Sequence, residues 1–115
     1  MTTVTVRRNE QGICAIDVSG HSGYAQAGSD IVCAAASVLI TTCINALENV
    51  AHIRPMVFQK ERAATMVVLL PASLPPLKAH DAQVILQTTV QGFQGIAEQY
   101  PKYLQIHLMG GTSSC

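Results

Sequence analysis

Charge is scarce in this chain of 115 residues, with seven Lys and Arg, seven Asp and Glu, and only 12% charged positions against 49% hydrophobic ones. A net charge of zero excludes the electrostatic reach that a general nucleic-acid or anionic-membrane partner needs. So thinly charged a surface is unusual for a monomer, and the expectation is a homodimer that buries part of it. The opening MTTVTVRRNE holds no apolar leader segment. No apolar run reads as approaching the roughly 20 residues of a bilayer span. A cytoplasmic protein without membrane contact is therefore expected, in a compartment that keeps thiols reduced. The four cysteines, Cys14, Cys33, Cys43 and Cys115, show neither a CxxC pair nor a disulfide framework. Cys14 and Cys43 fall in apolar surroundings and read as inert core thiols. Cys115 ends a GGTSSC tail that reads as flexible and exposed. Neither a metal nor another cofactor is expected.

The periodicity predicts one α+β domain, residues 1–109, followed by a flexible tail, 110–115. Thr3 to Arg8 and Ile13 to Ser19 alternate as strands, and Asn9-Glu10-Gln11-Gly12 supplies hairpin chemistry. An apolar helix should start at Asp30, or at Ser29 beside it, and run to about Val50. It is apolar almost all round, the mark of a buried element. Met56 to Lys60 and Thr65 to Leu70 read as strands around a turn at Glu61-Arg62-Ala63. The unalternating MVVLL run predicts burial on both faces. A second helix is expected from Lys78 or His80 to Tyr100, with Leu86, Val90, Phe93 and Ala97 inward and Gln83, Gln87, Gln91 and Gln94 outward. Tyr103 to Leu108 forms the last strand. The order is ββαββαβ, a mixed and mostly antiparallel sheet packed with two helices.

Chemistry concentrates between Ser19 and Ser37, SGHSGYAQAGSDIVCAAAS. His21 sits in a loop with Gly20, Gly23 and Gly28, and Cys33 falls near a helix start. With Asp30 as N-cap, Cys33 is the third helical residue, close to free N–H groups and the positive end of the dipole. That end contributes about 0.3–1 kcal/mol, under one pKa unit at about 1.36 kcal/mol each. A histidinium about 4 Å away contributes on the order of 4 kcal/mol at an effective dielectric of roughly 20. The imidazole would thus supply most of the activation that a thiolate nucleophile needs. Asp30 can cap the helix or orient His21. Ser37, one turn beyond Cys33, can face the site or bond back to the preceding turn. The stretch from Tyr24 to Gly28 reads as a cover over the site, and Tyr24 and the glutamine-rich face are candidates for substrate contacts.

GHSGYA followed by GSDIVCAAAS resembles the signature of the ribosomal-processing cysteine proteases (Prp), at Gly20, His21, Gly23, Tyr24, Ala25, Gly28, Asp30 to Ala35 and Ser37, with Ser22 and Ala36 as variable small positions. The resemblance implies a bacterial cysteine endopeptidase and homodimer in which Cys33 and His21 act through an acyl-enzyme. Its substrate would be the N-terminal extension of a large-subunit ribosomal protein, the twenty-seventh, cut after an aromatic residue. Three rivals stay open at this point: a non-catalytic ribosome-assembly or binding factor, a peroxide sensor pairing Cys33 with Cys14, Cys43 or Cys115, and a zinc site from Cys33, His21 and Cys14. His52, His80 and His107 read as structural or solvated.

Overall fold

The computed structural model describes residues 1–20, 27–60, 65–110 and 115, with 27–30 as backbone only. The chain opens with β1 (Thr2–Asn9) and β2 (Gly12–Ser19). Their alternation buries Val4, Val6, Ile16 and Val18 on one face. The turn between them is set locally, since Asn9 Oδ1 accepts the Gln11 N–H at 2.9 Å and Gly12 takes φ 126°, a conformation that glycine adopts without strain. Then follow α1 (Ala27–Asn49), β3 (Met56–Lys60), β4 (Thr65–Leu69), α2 (Pro76–Gln99) and β5 (Leu104–Met109). This is the expected ββαββαβ order. The α2 helix starts before Lys78 because Pro76 occupies its first turn, where a fixed φ and a missing N–H do no harm.

The five strands form one mixed sheet in the order β3-β4-β2-β1-β5. Every pairing is antiparallel except β1 with β5. A register shift between Arg7 and Arg8 lets Ile13 pair with Arg8 and leaves Cys14 as an extra residue, a bulge at the start of β2. The core lies between the sheet and the two helices, joining Val4, Val6, Ile16 and Val68 to Val32, Ile40, Leu47, Leu86 and Phe93. On the opposite face Arg7 Nη2 meets Asp17 Oδ2 at 2.9 Å.

Four expectations need correction. The MVVLL run is not buried on both faces: only Val68 is buried, while Met66, Val67, Leu69 and Leu70 are half-buried. Both helices pack on one side of the sheet, so the other face of β4 stays partly open. The α1 helix is not enclosed either, for Ile31 and Val38 are 54% and 64% exposed. By length and composition its stretch Ile31–Asn49, 19 residues of mean hydropathy 1.8, would reach across a membrane, which the reading of apolar runs missed. Here Val32, Ala36, Ile40, Cys43 and Leu47 of that stretch pack into the core. Lastly, Cys14 is no free thiol and Cys115 no loose end: the two form a disulfide. The proposed turn at Glu61-Arg62-Ala63 lies outside the described residues.

Candidate active site

Cys33 is presented by α1, next to the buried Val32 and three residues before the buried Ala36, and it is half-exposed. It lines a cleft of about 270 Å³ together with Ala36, Ser37 and Ile40 of the same helix. The opposite wall is the sheet, where Thr2, Val18, Met66 and Gln59 contribute, with Gly20 at the rim. Lining of this kind is mostly apolar with a few polar groups, the usual make-up of a site for a small segment of substrate. A cavity of about 150 Å³ already admits a benzene ring.

The helix start changes the electrostatic account. Because α1 begins at Ala27, Asp30 is not its N-cap but a residue of its first turn, and Cys33 is six residues inside. At 1.5 Å per residue that is about 9 Å from the end, beyond the turn over which the dipole acts. Unbonded N–H groups belong to the first four residues, Ala27 to Asp30 here, so the Cys33 N–H is spent within the helix and is no oxyanion donor. Ala27 and Gly28, expected in a loop over the site, are helical too.

Ser37 Oγ donates to the Cys33 carbonyl at 2.8 Å, the bond to the preceding turn, and Ser37 also lines the cleft, so its two readings are compatible. Gly20, directly after β2, has φ 83°, a left-handed conformation that breaks the strand. His21, Ser22, Gly23 and Tyr24 lie outside the described residues, as does the Asp30 side chain.

The remaining thiols leave Cys33 by itself. Cys43 is buried and ten residues along the same helix, about 15 Å away; Cys14 is bonded to Cys115. No resolving cysteine stands near Cys33 among the described residues, and Cys14 is not available as a zinc ligand. The other described histidines serve elsewhere. His52 turns the chain after α1 with φ 55°, and its carbonyl accepts Lys78 Nζ at 2.8 Å. His80 Nδ1 lies 3.3 Å from Asp81 Oδ1, and His107 is exposed on β5. The glutamine face of α2 contributes nothing to the cleft, and Gln83 is bonded to β2 instead. Sequence reasoning missed Thr2, Val18, Gln59, Lys60, Thr65 and Met66. No local pattern marks them, because strand order alone brings them to Cys33.

Residues 1–105 match the family model described as cysteine protease Prp. The chain belongs to the Prp family of cysteine proteases. It is 26% identical over 107 residues to the ribosomal processing cysteine protease Prp of Bacillus subtilis, covering 92% of this chain and 96% of the relative. The Staphylococcus aureus (strain Mu50) Prp is 27% identical over 108 residues, 93% of this chain and 98% of the relative. Among solved structures, S. aureus Prp in complex with a substrate peptide superposes with a TM-score of 0.83 at 26% identity, over 94% of this chain and 99% of that one. The S. aureus Prp structure with a covalently linked product peptide gives 0.79 at 27% identity, with the same coverage. The α+β fold is thus that of the Prp proteases, and the chain is a cysteine protease.

Proposed function

We propose that this chain removes the N-terminal extension of the twenty-seventh large-subunit ribosomal protein, with Cys33 as nucleophile and His21 as its acid and base. The observation that carries this reading is the cleft beside Cys33, which has Gly20, the residue that precedes His21 in the sequence, at its rim. Thiolate Cys33 attacks the scissile carbonyl and His21 protonates the departing amine. Water, deprotonated by His21, then releases the acyl-enzyme. Since Cys33 lies too deep in α1 for the dipole to act strongly, the thiolate depends on the imidazolium. The same reading has the protein act in the cytoplasm, where a disulfide such as Cys14–Cys115 is rare, without nucleic acid, membrane, cofactor or metal, as a homodimer. The exposed Ile31 and Val38 on α1, a helix without a charged side chain between Asp30 and Glu48, support the second copy.

The test is cleavage of a peptide spanning the extension junction, read by mass spectrometry, with wild type, Cys33→Ala and His21→Ala. Turnover by wild type at one bond, lost in both folded variants, is expected. Turnover that survives Cys33→Ala would overturn the mechanism, and an uncut junction peptide would overturn the substrate.

A further inference from the structure

Strand β3 is an edge strand, and all five of its residues are exposed. Edges of this kind are ordinarily guarded by charge, proline or a bulge. Here Met56, Val57 and Phe58 are consecutive and apolar, and β3 pairs with β4 over five residues without a register shift. Which of its backbone groups face outward follows from the ladder. The Leu70 N–H donates to the Cys14 carbonyl at 2.9 Å, in phase with the pairs Ile16–Val68 and Val18–Met66. Hydrogen-bonded pairs recur at every second residue of an antiparallel ladder, so even-numbered residues of β4 bond to β2 and odd-numbered ones to β3. Their partners Met56, Phe58 and Lys60 therefore bond to β4. Val57 and Gln59 are left to present N–H and C=O at the open edge.

Those two residues lie on the catalytic side of the sheet. Val57 pairs with Val68 and Gln59 with Met66; Val68 is in the core under the helices, and Gln59 and Met66 line the cleft with Cys33. The open edge and the cleft are thus continuous at Gln59 and Lys60. A peptide bound to such an edge is held through its backbone, whatever its sequence, while alternate side chains supply selectivity.

On the reading that Cys33 is the protease nucleophile, we infer that the substrate segment on the N-terminal side of the scissile bond adds to the sheet as a strand on β3, exchanging hydrogen bonds with Val57 and Gln59, and enters the cleft past Lys60. This is the segment that stays joined to Cys33 as the acyl-enzyme after the amine has left, so it must be held through both halves of the reaction. An edge strand continuous with the cleft does that; a grip on the departing segment would not.

The experiment uses peptidyl chloromethyl ketones ending in Phe, of one and of five residues. The Cys33 thiolate displaces chloride from each to form a thioether, located by mass. The five-residue reagent is expected to label wild type at least about tenfold faster, the scale of a few net hydrogen bonds. Two further five-residue reagents carry backbone N-methyl groups on alternate residues, one set on the odd positions and one on the even. One set should lose the gain and the other keep it. Val57→Pro, which removes an N–H facing the edge and none that bonds to β4, should also lose it. The N-methylated reagents act on the wild-type protein, so the test stands even if that variant fails to fold. A one-residue reagent that labels as fast as the longer one, or equal loss with both N-methylated sets, would overturn the edge proposal and leave the nucleophile in place. Labelling of Cys33 by none of them would overturn the nucleophile, and the edge proposal with it. A dimer that becomes monomeric on Val57→Pro, seen by sedimentation, would assign the edge to a second copy of the chain and overturn the proposal.

Discussion

The side chain of Gln83 on α2 closes both backbone hydrogen bonds of Ile13 on β2. Its Nε2 donates to the Ile13 carbonyl at 2.7 Å, and its Oε1 accepts the Ile13 N–H at 2.9 Å. One amide group thereby stands in for a neighbouring strand where the Cys14 bulge interrupts the ladder. Gly12 belongs to the same arrangement, because a Cβ there would run into the Gln83 side chain. Gln83→Ala strands a part-buried donor and a part-buried acceptor, each of which costs about 1–3 kcal/mol when unsatisfied. Urea denaturation should show a loss of about 2–3 kcal/mol, the low end because the site is only part-buried. An unchanged midpoint would make the contact incidental.

Gly20 predicts a loss of both stability and turnover. Its φ of 83° is strained for any residue with a Cβ, and that atom would lie 2.5 Å from the Met1 carbonyl oxygen. Strain of this kind costs about 1–3 kcal/mol. Relief by shifting the chain moves the rim beside Cys33, where displacements of an ångström can cost on the order of 100-fold in rate. In Gly20→Ala, kcat/KM on the junction peptide should fall at least tenfold, more than the unfolded fraction explains.

Two glycines of α2 should answer alanine in opposite ways. Around Gly95 there is nothing within 4 Å, so Gly95→Ala gains helix propensity and should stabilise by about 0.5–1 kcal/mol. At Gly92 a Cβ would come within 2.8 Å of Leu39 on α1. Overpacking there, about 1–3 kcal/mol, should outweigh the same gain. Leu39→Ala should relieve the crowding, so a double-mutant cycle in thermal melts should give a coupling of about 1 kcal/mol.

Cys43 predicts a pH dependence. Burial pushes its thiol above the ordinary 9.0, and a hydrogen bond with Thr89 pulls it part of the way back. A folded-state pKa above the unfolded one gives stability that is complete below about pH 9 and lost as pH rises through the folded value. Wild type should therefore lose stability above pH 9 more steeply than Cys43→Val. Equal slopes in urea titrations would remove the effect. Native protein should also alkylate at Cys33 before Cys43.

The order of elements could be read because local patterns carry it: alternation in Val4 and Val6, glycine at the hairpin, proline before β3, α2 and β5. Less legible was where α1 begins. Ser29 and Asp30 are good caps, but Ala27 and Gly28 also accept helical dihedrals, so composition leaves the start open by one turn. The MVVLL run misled because an apolar strand looks the same whether one or two layers cover it. Pairings across the fold were out of reach. Gln83 meets Ile13 across 70 positions, and Cys14 meets Cys115 across 101. Cys33 was marked by its motif, whereas its neighbours Gln59 and Met66 come from the other side of the sheet.

The parallel pairing of β1 with β5 has a consequence for timing. Thr2, a wall of the cleft, is held by its N–H bond to the Tyr103 carbonyl at 2.8 Å, and the adjoining Gln105–Thr3 bond spans 102 positions. Closing so long a loop has an entropic cost that must be met before its contacts form, and topologies of high contact order fold slowly. A growing chain that has not reached Leu104 can form the hairpin and α1, but it cannot anchor Thr2. The Thr2 wall of the cleft beside Cys33 is therefore among the last parts of the fold to take shape.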